Sequence, residues 1–383
     1  MTITAASCTL YLHPCYRKSP FFEATRRAGC TTYDIYNHMC LPGGYDDPVS
    51  EYWHLVNHVT LWDVSVERIV EITGPDASTF TNMLTPRDLT RCAVGQGKYV
   101  LITAEDGGII NDPVLLRLEH NRWWLALADS DAGLWARGVA VNSGLKVQVR
   151  EPEVYPVQVQ GPKSKHVMQA LFGDAVLDVR YYWTMETDLD GIPVVISRTG
   201  WTGEVGYEIY LKDPSRGDEL WERIMEAGKS HQIRPIAPCM IRRLEAGIFN
   251  YGSDMTIDNN PFEVMGLERL VEDQEADYIG KEALTRIKAE GVKRMLVGIE
   301  IQGEPLPYEL SEFWRAFTDE EPVGRVTDAL WSPRLEKNIG YVWVPIELSR
   351  PGTSLEIETP WGTRTGRTAA LPFFDPRKAI PQG

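Results

Sequence analysis

A chain of 383 residues, 43% apolar and 24% charged, has material for two or three domains with well-buried cores. None of its apolar runs approaches the roughly 20 residues of a membrane helix, and a net charge of −15 argues against a surface that tracks nucleic-acid phosphates. The first residues lack the basic start, apolar block and small-residue cleavage site of a secretory leader, so a cytoplasmic location is expected.

In chain order, DPVSEYWHLVN (47–57) predicts a helix, and LWDVSVERIVEI, with its near alternation of apolar residues, predicts a strand. Gly74, Pro75 and Asp76 then break the chain before a short helix from Ser78 to Leu84 that Pro86 ends. GKYVLIT and IINDPVLLRL flank the turn AEDGG and form a hairpin, the glycines supplying positive φ. WWLALA is a strand and ADSDAGLWARGVA a helix with an Asp or Ser cap. Beyond Pro152 come a helix in GPKSKHVMQALFG, strands in IPVVISR and GYEIYL, and an amphipathic helix in GDELWERIMEAGKSH. From about Lys293 the chain turns to short strands broken by Gly and Pro, the pattern of an all-β terminal domain. No G-x-G-x-x-G follows a strand and no Walker lysine loop is present, which disfavours the doubly wound nucleotide folds.

Six cysteines (Cys8, Cys15, Cys30, Cys40, Cys92, Cys239) without a C-x-x-C pair read as free thiols of a reducing compartment. His54 and His58 stand one helical turn apart, but no third ligand accompanies them, so no metal site is expected. Two stretches carry chemistry. In IINDPVLL a carboxylate, Asp112, sits in an apolar run before a proline. Strand parity puts it on the face of Ile110, Val114 and Leu116, where a charge must be paired, protonated or open to a ligand. Pro113 cannot donate to a ladder, so the strand is an edge or is bulged there. The plainer alternative is a carboxylate that caps a neighbouring loop. In SRTGWTGEVGYEIYL (197–211), Trp201, Tyr207 and Tyr210 offer flat faces and Glu204 and Glu208 offer acceptors, a set suited to a planar heterocycle with N–H donors such as a pterin. Parity directs Tyr207, Ile209 and Leu211 to one side and Glu208 and Tyr210 to the other, toward an opening.

R-T-G-x-T-G-E-x-G-Y-E-I at 198–209, R-L-E-A-G at 243–247, Y-G-S-D at 251–254, P-F-E-V-M-G-L at 261–267 and Y-I-G-K-E-A-L at 278–284 together resemble the folate-dependent T-protein (aminomethyltransferase) family of the glycine cleavage system. The resemblance implies an α+β, three-domain T-protein-like fold around tetrahydrofolate. Residues 1–290 would form two interleaved α+β domains and residues 291–383 a C-terminal β-barrel-like domain. Carried over by position, it implies Asp112 as the catalytic aspartate, Tyr99 and Glu208 at the pterin, and Trp201 at the aromatic position of the G-x-T-G-E motif.

Departures from the T-protein pattern narrow the expectation. Val66-Glu67-Arg68 stands where H-M-G is usual, Asn111 where a second acid is usual, and Ala237-Pro238-Cys239 where A-R-D is usual. Y-N-H-M at 36–39, W-D-V-S-V-E-R at 62–68, I-N-D-P-V at 110–114 and G-W at 200–201 resemble instead the dimethylsulfoniopropionate demethylase branch, although Thr202-Gly203-Glu204 keeps a T-protein feature. That resemblance implies methyl transfer from a small onium donor to N5 of tetrahydrofolate, without metal. Trp201 and Tyr210 would hold the cation by cation–π contact, and Arg68, Arg198 or Arg243 would meet a substrate carboxylate. Aminomethyl transfer, O- or N-demethylation and folate binding without catalysis are the alternatives. A small methyl donor and tetrahydrofolate are the expected partners, with neither nucleic acid nor membrane.

Overall fold

The computed structural model describes residues 13–307 and 310–383; the N-terminal stretch read above for a leader, with Cys8, lies outside the described residues. The described cysteines, Cys15, Cys30, Cys40, Cys92 and Cys239, are all free. Two antiparallel-rich sheets interleave along the chain. The six-stranded sheet runs Thr184–Leu189, Ile192–Ser197, Gly206–Leu211, Tyr155–Gln160, Thr60–Asp63, Arg234–Pro235, with only the last pairing parallel. The five-stranded sheet runs Gln148–Arg150, Ile69–Thr73, Arg122–Ala126, Val114–Glu119, Gly97–Tyr99. The second sheet is thus built from chain that leaves the first after Asp63 and returns at Tyr155.

The exit corrects one expectation. Residues 61–72 form two strands, Thr60–Asp63 and Ile69–Thr73, in different sheets. Asp63 ends the first, accepting hydrogen bonds from Ser65 N (3.2 Å) and Ser65 Oγ (2.7 Å), and the backbone then turns through Glu67 N to Val64 O (2.9 Å). Short-range side-chain bonds of this kind compete with a ladder and stop it. A second correction falls at Asp112-Pro113, where the expected single strand divides into Ile109–Asn111 and Val114–Glu119, again in different sheets. Parity does not survive the break. Ile110 packs in one cluster with Leu115, whereas Leu116 and Val114 pack in another. The physical cause is the missing N–H of Pro113. The hairpin itself is present, Ile102–Thr103 pairing with Ile109–Asn111 across a turn in which Gly107 has φ +88°.

The helix over Pro48–Asn57 starts on Asp47, whose carboxylate accepts Ser50 N (2.9 Å). The short helix expected from Ser78 to Leu84 covers Ala77–Met83. The helix Ala132–Asn142 follows Asp131 without a side-chain cap, so the capping expected there is absent. The amphipathic helix Gly217–Gly228 lays Leu220, Trp221 and Ile224 on the six-stranded sheet's core with Val157, Tyr207, Ile209 and Leu211. Burying one such aliphatic side chain contributes about 1.5–3 kcal/mol. The final portion is a closed six-stranded barrel, ordered Arg294–Ile301, Lys337–Pro345, Glu321–Ser332, Trp314–Thr318, Ser354–Thr359, Gly362–Ala369. One cluster joins all three units: Trp62, Leu101, Leu244, Met255, Leu296 and Tyr341 pack together. Beside this junction the chain leaves two cavities.

Candidate functional site

Asp112 is held from both sides. Upstream, Asn111 is fully buried, donating to Ala128 O (2.9 Å) and Ser130 Oγ (2.8 Å), and Tyr251 donates its hydroxyl to Ile109 O (2.8 Å). Downstream, Val100 N donates to Pro113 O (3.1 Å). The strand break therefore directs the Asp112 carboxylate into a cavity of about 550 Å³ instead of a sheet face. Its Oδ2 accepts the Tyr99 hydroxyl at 2.8 Å, while Oδ1 is out of solvent and has no partner in the protein. Burial pushes the Asp112 carboxyl up to about 7, against the Tyr99 bond that holds it down; Asp254 adds to the rise. The Tyr99 hydroxyl is itself held far above its ordinary range by burial and by the Asp112 charge. An acceptor oxygen with neither protein nor solvent partner, on a carboxyl poised near neutrality, is an arrangement a ligand N–H completes.

Across the cavity, Glu208 projects from Gly206–Leu211. Its Oε1 accepts Gln158 Nε2 (2.9 Å), and its Oε2 accepts the hydroxyls of Thr199 (2.6 Å) and Tyr210 (2.5 Å). Gln158 Nε2 also donates to Glu67 Oε1 (3.3 Å), so one amide bridges two carboxylates that both line the cavity. Burial raises both, Glu67 further, because the Glu208 charge opposes its ionisation. The turn carrying Glu67 is tied to the hairpin Thr32–Tyr36/Met39–Gly44. At the hairpin tip, Asn37 and His38 take φ +48° and +60°, and Asn37 donates to Val66 O (2.9 Å) and Ala128 O (3.0 Å). That anchor brings Tyr36 to the same cavity wall.

The segment 198–206 explains its glycines. Gln160 donates Nε2 to Thr199 O (3.1 Å) and Tyr207 O (3.3 Å) and accepts the Thr202 hydroxyl (2.7 Å). A Cβ on Gly200 or Gly206 would come within 2.3 Å of that amide, so glycine lets the loop close over it without displacing the amide from these bonds. The closed loop presents Trp201 to the cavity with the Arg243 guanidinium 5.6 Å from its ring centroid. Arg243 is fully buried and donates to Asp254 Oδ2 (2.6 Å) and to Asp328. Arg242 is likewise buried, donating to Glu204 Oε1 (2.7 Å) and Gly203 O (2.9 Å). The R-L-E and Y-G-S-D motifs are thus partners across the loop junction.

The structure brings Asp112, Tyr99, Glu208 and Trp201 to one cavity. It leaves two expected residues outside. Tyr210 follows the expected parity, on the Glu208 side of its strand, yet it is fully buried, its ring 5.9 Å from Trp124, and it reaches the cavity only through its bond to Glu208. Arg68 pairs with Glu151 and lines neither cavity. Arg198 is turned to the carbonyls of Pro381 (3.2 Å) and Gly383 (3.1 Å), so none of the three arginines considered for a substrate carboxylate is free for one. Sequence reasoning gave no role to Glu67, Tyr36, Tyr181, Tyr182 or Asn250, which also line the cavity. Asn-His between alternating strands was a signal for the hairpin, since Asn tolerates positive φ, but not for where its tip docks. Exposed Arg269, Arg377 and Lys378 stand at the mouth. His54 and His58 stack, centroids 4.8 Å apart, and turn to Gln232 O and Lys163 Nζ. Among the described residues no group of three or more His, Cys, Asp or Glu is placed to hold a metal, and no helix is long and apolar enough to cross a membrane.

Residues 21–275 match the GCVT N-terminal domain and residues 294–375 the glycine cleavage T-protein C-terminal barrel domain. A dimethylsulfoniopropionate demethylase from Ruegeria pomeroyi is 38% identical over 91% of this chain and 94% of its own. An aminomethyltransferase from Desulfitobacterium hafniense is 30% identical over 89% and 93%. In fold, the chain superposes on the glycine cleavage system aminomethyltransferase T from Bartonella henselae with a TM-score of 0.84, at 24% identity and over 94% and 99% of the two chains.

Proposed function

The chain belongs to the glycine cleavage T-protein family of tetrahydrofolate-dependent transferases, and from that premise we propose that it moves a methyl group from a small onium donor, such as dimethylsulfoniopropionate, to N5 of tetrahydrofolate. The observation that carries the reading is Asp112: one oxygen fixed by Tyr99, the other unpartnered in the cavity, and a carboxyl raised to about 7. The residues suit a reduced pterin. Glu208, Glu67 and Asp112 supply acceptors for its N–H groups, and Trp201, Tyr181 and Tyr182 supply flat walls. Arg269, Arg377 and Lys378 at the mouth suit the anionic tail of folate.

The chemistry asks little beyond alignment, since an onium methyl already carries its leaving group. Asp112 orients N5 and balances the charge that develops on it. It then takes the proton that N5 sheds as the N–C bond forms and the donor's S–C bond breaks, its electron pair leaving with a neutral thioether. A base near neutrality serves this role better than an ordinary carboxylate, which would return the proton to solvent too readily to hold it. Trp201 faces the cation. The aminomethyl alternative has Thr202-Gly203-Glu204 in its favour, but Glu204 is engaged by Arg242 and does not separate the two.

The test is to incubate the protein with tetrahydrofolate and a panel of sulfonium, betaine and methoxy compounds and to identify the folate product by mass spectrometry. 5-Methyltetrahydrofolate from an onium compound is the expected result. Methylene-tetrahydrofolate formed only from an aminomethyl donor would overturn it.

A further inference from the structure

Arg198, the first residue of the R-T-G-x-T-G-E motif, is 5% exposed and does not line the cavity of Asp112. Its backbone bonds to Trp183 O (2.9 Å) and Tyr182 N (3.0 Å), which roots it beside the Tyr181 and Tyr182 wall of that cavity. Its guanidinium has no carboxylate partner among the described residues. Nη2 donates to Pro381 O and Gly383 O, Nε is buried without a partner, and Lys165 Nζ converges on the same Gly383 oxygen. The stretch it holds comes from the barrel. Beyond the last barrel strand, Pro372 packs on Gly247, where a Cβ would lie 3.1 Å from it. Phe374 bonds its N–H to Glu245 O (2.9 Å) and seats its ring 4.3 Å from the Arg334 guanidinium. Asp375 then accepts Ala379 N (3.0 Å) and Ile380 N (2.8 Å) to form the turn Ala379–Gln382. Along this path Leu371, Phe374, Arg377, Lys378, Pro381 and Gln382 line the cavity.

Among the described residues, the hydrogen bonds that tie 375–383 to the rest of the protein come from Arg198 and Lys165. A guanidinium that exchanges water for carbonyls gains little net from each bond and regains its water when they part, so the tie is one that opens and closes. Resting on the reading that this cavity holds tetrahydrofolate, we propose that residues 371–383 are a strap closed over the bound folate, and that Arg198 is the positioning residue that latches it. Arg198 then sets how long folate stays bound without touching it. Pro381 and Gln382 are cavity wall only while the latch holds, and the same latch keeps Arg377 and Lys378 at the mouth, where the anionic tail of folate lies.

Trypsin reads the strap directly, because Arg377 and Lys378 are exposed cleavage points whose cutting releases the stretch beyond them, measured by intact mass. Without ligand, Arg198→Met is expected to be cut there about tenfold faster than wild type while other Lys and Arg sites are cut no faster. Saturating tetrahydrofolate should slow the wild-type cut by about tenfold. The tetrahydrofolate Kd should rise about tenfold in Arg198→Met, through a faster koff. A chain stopped after Lys378 should show the same loss, and the double variant should bind no more weakly than the stopped chain, since Arg198 acts only through the strap. Cleavage rising equally at sites across the chain would make Arg198 a purely structural residue and overturn the proposal. So would an unchanged cut after Lys378, no protection by tetrahydrofolate, an unchanged Kd, or losses that multiply in the double variant. If wild type binds no tetrahydrofolate, the folate reading falls, and the ligand-free cleavage rate of Arg198→Met against wild type still decides the latch.

Discussion

Replacing Asp112 by Asn separates chemistry from scaffold in one substitution. The side chain keeps its shape, and Tyr99 still has an oxygen to donate to at the place where it now lies 2.8 Å away. What is lost is negative charge on a carboxyl that folding moves from 3.8 to about 7. Because the folded protein holds this proton more tightly than the unfolded chain, stability falls as pH rises from ~4 to ~7, and the full cost, up to ~4 kcal/mol, stands above ~7. The Asn variant does not titrate. It should match wild type near pH ~4 and gain about 1–3 kcal/mol at pH ~8, less than the full cost because the amide NH2 must also find an acceptor. Thermal melts at the two pH values measure this, as a rise of several degrees confined to the higher pH. Turnover, read as 5-methyltetrahydrofolate formed per folded molecule, should fall by ~10² or more because neither base nor counter-charge remains. An Asn variant that melts lower than wild type at pH ~8 yet keeps most of its turnover would refute the reasoning and leave Asp112 as a loop cap.

Tyr99→Phe removes the hydrogen bond that holds the Asp112 carboxyl down. The rising limb of kcat/KM against pH should have its midpoint near 7 in wild type and move upward in the variant; an unmoved midpoint would show that Tyr99 does not govern the carboxyl. Glu208→Gln places a donor where Thr199, Tyr210 and Gln158 all donate, so tetrahydrofolate binding should weaken by roughly 1–3 kcal/mol. Titration calorimetry on natively folded protein checks it, and unchanged affinity would remove Glu208 from the pterin site. Arg243→Met leaves Asp254 and Asp328 buried without their cation and should cost about 3–5 kcal/mol of stability, measured as a lower urea midpoint at unchanged slope.

Much of the site was legible because its signals are local. Alternation within GYEIYL separates Tyr207, Ile209 and Leu211, which enter the core, from Glu208, which faces the cavity. A charge before proline in an apolar run marked Asp112, and the fold places the hydroxyl of Tyr99 on it across 13 positions of sequence. The same local rule misled where a ladder stopped. Alternation continues on paper through Asp112-Pro113 and through Val64–Arg68, but a missing N–H and the Asp63–Ser65 bonds end each strand there. Tyr210 shows the limit of parity, which names a face without saying what covers it; here Trp124, from the other sheet, does.

The sequence by itself determined most of the elements, the all-β character of the terminal domain and the residues whose reactivity depends on immediate neighbours, because pleat and proline chemistry act within a few residues. Only the tertiary structure decided that Tyr36 and Glu67 share a wall with Trp201, that Arg68 faces Glu151, and that Asp112 and Glu208 meet in one cavity with Arg269, Arg377 and Lys378 among its lining residues. Those facts depend on where a hairpin tip, a turn and a glycine-hinged loop converge. Their positions are set by pairing between strands far apart in the chain, and no periodicity along the chain records which loops such pairing brings together.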